Sequence, residues 1–186
     1  MILYSLTLTE DAPVADLIAR SPAAGLLPLQ VGSVSIAEVS PGPLTSVAPF
    51  NGQAEAVSDA LKTSVGAGLP PVNRRDGAVT WFGHGQWLVA GEVAPSGAAV
   101  TDQSDAWVVV SVTGDAVTDV LARLVPVDLR MTVFPEGQVA KTMLAHMPVT
   151  IIRTGDAAFE IMAMRSMAAT LVHDIETAAK GLALRD

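Results

Sequence analysis

The chain opens on the alternating stretch Ile2-Leu3-Tyr4-Ser5-Leu6-Thr7-Leu8, which has the two-residue period of an extended segment. A short helix is expected next, with Pro13 in its first turn and Val14, Leu17 and Ile18 on one face. Ser21-Pro22-Ala23-Ala24-Gly25 stops it. Residues 1–33 therefore read as an N-terminal arm or surface cover. Arms of this kind lie across a partner or cap their own domain.

From Ser33 the pattern becomes regular. Val34, Ile36 and Val39 predict a strand, Pro41-Gly42-Pro43 a turn, and Leu44 to Phe50 a second strand. Asn51 is placed to cap a helix on which Val57, Leu61 and Val65 recur at every fourth position, and Gly66 ends it. Gly66 to Gly77 is a loop holding Pro70-Pro71. Val79-Thr80-Trp81-Phe82 and Gln86-Trp87-Leu88-Val89 flank Gly83-His84-Gly85, which predicts a hairpin.

The second half has the same order. Trp107 to Val112 is a buried-strand pattern, and Thr113 is placed to cap a helix with Asp115 in its first turn. Val117, Val120, Leu121 and Leu124 form the apolar face of that helix, and Pro126 stops it. Gln138 to Ala145 and Pro148 to Arg153 predict strands, and Thr154-Gly155-Asp156 turns into a strand from Phe159 to Ala163. Ser166 is expected to cap a last helix carrying Met167, Leu171 and Ile175, with Gly181 beyond its end.

Two units of strand, helix, proline-bearing loop and hairpin make a weak internal repeat of architecture. Hairpin-linked strands outnumber helices, so the fold class is α+β with mainly antiparallel sheet. A doubly wound parallel sheet is disfavoured because strands and helices do not alternate strictly. Residues 34–186 are expected to form a single domain built from two similar halves, 34–97 and 98–186.

Composition narrows the chemistry. The 186 residues include no cysteine, which excludes a disulfide scaffold, a thiol nucleophile and thiolate metal sites. The formal net charge is -8, and acids exceed bases on both sides of Val93. Apart from the pair Arg74-Arg75 there is no cationic cluster, so neither nucleic acid nor an anionic membrane surface is an expected partner. No stretch reads as a signal peptide or a membrane span, and the default compartment is the cytoplasm. Only 16% of residues are charged, against about 25% in ordinary soluble domains. Either the chain has an alanine- and valine-rich habit, or it buries part of its surface against a partner.

Candidate reactive groups are scattered. His84 lies in a predicted hairpin turn, His146 between two strands, and His173 on a helix with Asp174 and Glu176. One histidine and one acid do not make a zinc site, so each reads as a turn or solvated-face residue. Asp102, Asp105 and Asp128 read as turn acids that bond nearby backbone, and Glu10-Asp11 as a solvated pair. Trp81, Trp87 and Trp107 read as core residues. Stacking on a ligand would need two of them on one open face. There is no G-x-S-x-G, H-E-x-x-H or P-loop pattern. Gly83-His84-Gly85 joins strand to strand, and Gly66-Ala67-Gly68 follows a helix, so neither cradles a pyrophosphate.

Several runs resemble the gamma subunit of heterotetrameric sarcosine oxidase. They are Asp102-Gln103-Ser104-Asp105-Ala106-Trp107-Val108-Val109-Val110-Ser111-Val112-Thr113-Gly114, then Val120-Leu121-Ala122-Arg123-Leu124-Val125-Pro126-Val127-Asp128-Leu129, then Phe134-Pro135-Glu136-Gly137-Gln138-Val139-Ala140-Lys141-Thr142. Arg153-Thr154-Gly155-Asp156-Ala157-Ala158-Phe159-Glu160-Ile161 and Arg165-Ser166-Met167-Ala168-Ala169 continue the likeness. The hairpin from Trp81 to Val89 looks like the matching first-half piece, and the runs extend from roughly Val79 to Gly181.

That subunit is distantly similar to the folate-binding aminomethyltransferase domain. The resemblance implies a duplicated α+β fold and alpha, beta and delta partner subunits. It also implies a complex that oxidises sarcosine to glycine, passes the one-carbon unit to tetrahydrofolate and releases hydrogen peroxide. FAD, FMN, NAD and tetrahydrofolate are implied for the whole complex, none of them bound by this chain. Aminomethyltransferases carry acids after a glycine-rich hairpin turn. The stretch here that looks equivalent, Leu144 to Ile152, has no carboxylate. No catalytic, cofactor-binding or metal residue is therefore assigned, and a structural role is expected. The alternatives are a stand-alone folate-binding or one-carbon-transfer protein, and a small homo-oligomeric module without a ligand.

Overall fold

The computed structural model describes residues 18–184. The alternating run from Ile2 and the helix expected from Pro13 lie outside the described residues, apart from Ile18 at that helix's end.

The chain runs β1 (Leu29–Val31), β2 (Val34–Val39), β3 (Leu44–Pro49), α1 (Ala54–Val65), β4 (Arg75–Asp76), β5 (Val79–Gly83), β6 (Gln86–Ala90) and β7 (Ala98–Asp102). It continues through β8 (Trp107–Thr113), α2 (Val117–Leu121), β9 (Val139–Leu144), β10 (Met147–Gly155) and β11 (Ala158–Met164). A 3-10 turn at Arg165–Met167 then leads into α3 (Ala168–Ala183). One sheet has six strands in the order β1-β2-β8-β11-β10-β9, and the other has five in the order β4-β5-β6-β3-β7. Every neighbouring pair of strands in both sheets is antiparallel, so the α+β class read from the sequence holds.

The layers follow from which faces are apolar. On β8, Val108, Val110 and Val112 face α2 and α3, packing with Ile151, Phe159, Ile161, Leu171 and Ile175. Val109 faces the other way, with Val139, Ile152 and Met162, against Leu44, Phe82 and Leu88 of the five-stranded sheet. The outer face of that smaller sheet buries Val47, Val79 and Val89 under Val57 and Leu61 of α1. The result is helices, sheet, sheet, helix. β8 is covered on both faces, which is why Trp107 to Val110 is a continuous apolar run rather than an alternating one.

The sheets do not follow the order of the chain. β2 leaves the first half and pairs with β8 in the larger sheet, while β7, beginning at Ala98, completes the smaller one against β3. β1 adds an edge strand to β2. The turn after β8 is tight: Gly114 has φ +124°, and a Cβ there would sit 1.9 Å from the carbonyl oxygen of Ser33. Only glycine permits that approach.

The helix ends need correction. Asn51 does not cap α1; the cap position is Gln53, without a side-chain hydrogen bond. Gly66 does end it, in the left-handed region, donating to the Lys62 carbonyl. Thr113 is the last residue of β8 rather than a cap, because its register with Ser35 and Ala158 keeps it in the ladder, and α2 starts after Ala116. Ser166 lies inside the 3-10 turn, and Gly181 lies inside α3. In each case strand pairing or helix packing carried the backbone past the local signal.

Candidate functional site

A cavity and a cleft at the junction of the two sheets share two side chains. The seam between the sheets contains a cavity of about 120 Å³ lined by Leu44, Leu88, Val109, Ile152 and Met162, with Thr80 as a polar wall. Outside it is an open cleft of about 520 Å³ lined by Arg74, Arg75, Glu136, Arg153 and Thr154. Arg75 and Glu160 line both, so they stand at the mouth between cleft and cavity.

The backbone builds that mouth by tying the sheets together. Val139 N–H donates to the Asn73 carbonyl at 2.8 Å, and Arg75 N–H donates to the Gly137 carbonyl at 2.8 Å. Asn73 reaches this path at φ 61° and Gly137 at φ 73°. Arg74 donates from its guanidinium to Gln138 Oε1 at 3.1 Å. Arg75 of β4 and Glu160 of β11 then form a half-buried ion pair across the seam. They lie 85 residues apart in sequence.

Arg153 is the most constrained polar group in the molecule's described part. Arg153 is 2% exposed, yet no carboxylate among the described residues pairs with it. Instead it donates to four carbonyls: Phe134 at 2.6 Å, Gly155 at 3.3 Å, Asp156 at 2.6 Å, and Leu129. The guanidinium carbon also lies 4.3 Å from the centre of the Phe159 ring, a cation–π contact. Burial pulls its pKa below the ordinary arginine value, partly offset by the charge of Asp156. Arg153 thus pins the loop between α2 and β9 onto the β10–β11 turn.

The cavity is smaller than the roughly 300–1,000 Å³ of small-molecule sites. Its carboxylate is already engaged by a guanidinium.

The residues singled out from sequence do not come together. His84 is exposed in the β5–β6 turn, His146 in the β9–β10 turn, and His173 on the outer face of α3. Among the described residues no group of three potential metal ligands exists. Asp102 accepts from Ser104 N–H at 2.9 Å and from its hydroxyl, which lowers its pKa, and Asp128 accepts from Arg130 N–H at 3.1 Å. Both are therefore turn acids, as their positions suggested. Asp105 pairs with Arg165 at 3.0 Å. Glu10 and Asp11 lie outside the described residues. Trp87 donates to the Pro70 carbonyl at 3.0 Å on the α1 side, whereas Trp81 and Trp107 pack into the seam. Trp107 meets Phe82 edge to face, 5.0 Å between ring centres. Sequence reasoning missed the Arg75–Glu160 and Arg153 arrangements. The adjacent arginines 74 and 75 were the one visible signal.

Among the described residues no helix is long and apolar enough to cross a membrane. No known family model matches the chain, and no curated protein matches it. Among solved structures, the chain is similar to a chain of the heterotetrameric sarcosine oxidase from Corynebacterium sp. U-96, solved in complex with pyrrole 2-carboxylate. The TM-score is 0.75 at 26% sequence identity, and the match covers 89% of this chain and 96% of that one.

Proposed function

We propose that this chain is the gamma-type subunit of a sarcosine oxidase complex and serves it structurally rather than by chemistry of its own. The observation that carries the reading is the structural match over 89% of the chain to a component of such a complex. The site geometry supports the structural role. The Glu160 carboxylate that lines the cavity is spent on Arg75, and the buried Arg153 cation is spent on backbone carbonyls. On this reading the partners are alpha, beta and delta subunits, and the flavins and nicotinamide cofactor belong to the larger ones.

The test is co-expression with the genes beside it. The chain should co-purify with flavin-bearing subunits, and the isolated chain should show no flavin absorbance. Stoichiometric flavin on the chain alone would overturn the reading.

A second reading, a stand-alone folate-binding protein, has Glu160 in its favour, because it is a carboxylate lining an inter-sheet cavity. Calorimetric titration with tetrahydrofolate separates the two. Saturable binding to the isolated chain supports the second, and no heat at high ligand removes it.

A further inference from the structure

The smaller sheet covers only part of the seam face of the larger one. Strand register arranges that face in cross-strand rows. One row holds Val109, Met162, Thr150 and Lys141, on β8, β11, β10 and β9 in turn, and its first three members are buried. The next row, two residues further along each strand, is Trp107, Met164, Pro148 and Met143. Trp107 pairs with Met164, Pro148 pairs with Met143, and the register Thr150 to Met162 sets Pro148 beside Met164. This last row is bare. Met143 and Met164 are 43% and 54% exposed, Pro148 is exposed and Trp107 is half-buried. At about 4.8 Å between strands the row is about 14 Å across. With Lys141 it forms a ledge around a depression of about 430 Å³.

The cover ends at Phe82, whose ring meets Trp107. Lys141 reaches back over that ring, its ammonium 4.1 Å from the ring centre, and donates to the Phe82 carbonyl at 2.8 Å. It is the single charged side chain that lines the depression, and among the described residues no carboxylate pairs with it. Burial lowers its pKa from the ordinary lysine value. The face of an antiparallel sheet that is open to water is ordinarily polar. A row of tryptophan, methionine, proline and methionine is not, and a joined apolar patch of this kind marks a contact surface. Other strongly exposed apolar side chains, such as Phe50, Val72 and Val133, lie on separate loops.

Charge decides between occupants. Two copies of this chain meeting ledge to ledge would offer Lys141 no carboxylate, since no acid lines the depression, and each copy carries a net charge of -8. A different chain can supply both an apolar cover and an acid. We propose, resting on the reading of this chain as a subunit of an oxidase complex, that the Trp107–Met164–Pro148–Met143 row is where a larger subunit docks, laying an apolar segment across the row and a carboxylate against Lys141. Such a contact has an apolar centre with a paired charge at its border, the usual anatomy of a protein interface. It also accounts for the low share of charged residues in the chain by giving the uncovered apolar surface a partner.

The complex co-expressed with the neighbouring genes, compared with the free chain, tests this. In the absence of substrate, dilute hydrogen peroxide oxidises accessible methionines, and mass spectrometry reads each one. Met143 and Met164 should oxidise roughly tenfold more slowly in the complex, because an interface core excludes water. Two variants probe the contact itself. Met164→Asp puts a charge on the apolar row, and Lys141→Gln removes the cation while keeping an N–H for the Phe82 carbonyl. Each should lower the amount of chain retained per flavin on a tagged partner subunit by roughly tenfold, with Tm of the free chain showing that the variant is folded. The footprint needs no variant, so a misfolded one does not remove the test. Equal oxidation of Met143 and Met164 in complex and free chain overturns the proposal, and so does normal retention of either folded variant. Slower oxidation that grows with the concentration of the free chain overturns it in favour of a second copy. A parent chain that forms no flavin-bearing complex refutes the reading of function and the docking face together. A complex that forms with both methionines still reactive refutes the docking face alone.

Discussion

Replacing Arg153 by methionine isolates what its guanidinium does. Methionine keeps much of the stem that packs near Phe159 but removes every donor. Two of the four carbonyl acceptors, on Leu129 and Phe134, belong to buried residues and receive buried hydrogen bonds. Leaving a buried acceptor unsatisfied costs about 1–3 kcal/mol. The Gly155 and Asp156 carbonyls are nearer solvent, so water can replace the lost donor at little cost. The lost cation–π contact adds about 0.5–1 kcal/mol. Against this stands the relief of no longer burying a charge, which is the effect that lowers the Arg153 pKa. The balance is a loss of about 2–4 kcal/mol, which in a domain of this size lowers Tm by roughly 4–16 °C. Urea denaturation and calorimetry of Arg153→Met measure it, with Arg153→Lys as a partial rescue because one ammonium can still reach some of the carbonyls. A methionine variant as stable as the parent would refute the reasoning, since the carbonyls would then have found other donors.

Gly114→Ala should destabilise the chain by more than about 2 kcal/mol, because its Cβ would lie 1.9 Å from the Ser33 oxygen and that oxygen is backbone. Thermal denaturation checks it, and an unchanged Tm would contradict the turn described. A double-mutant cycle on Arg75→Met and Glu160→Gln should return a coupling of about 1 kcal/mol, as the pair is half-buried rather than exposed. A coupling near zero would mean the seam does not depend on it. Arg130, through its side chain first and its backbone N–H second, holds the Asp128 carboxyl down at about 2, from an ordinary 3.8. The charged form is thus favoured in the folded state. Its contribution to stability is complete above pH 3.8 and is lost as the pH falls towards about 2. Carboxyl NMR titration should find that low value in the parent and a return towards 3.8 in Arg130→Ala.

The strands and their hairpins were legible in the sequence because their signals are local. Val79 to Val89 carries its own turn in His84-Gly85, and Val57, Leu61 and Gly66 mark a helix and its end without help from elsewhere. The short edge strands were not legible. β7 is mostly exposed and shows no buried alternation, and β1 is only three residues long. The caps at Thr113 and Ser166 were misplaced because side-chain identity favours capping but long-range register decides where the backbone turns.

The candidate site shows the same division more sharply. Local order along the chain determined the α+β class, the antiparallel hairpins and the dispersal of the histidines. Only the tertiary structure decided that β2 and β7 exchange sheets, and that residue 75 meets residue 160 at the seam. It also decided that Arg153, an ordinary strand residue in the sequence, is buried among carbonyls. The physical reason is that periodicity reports which face of an element is covered. It carries no information about what covers it, which is set by the packing of layers distant in sequence.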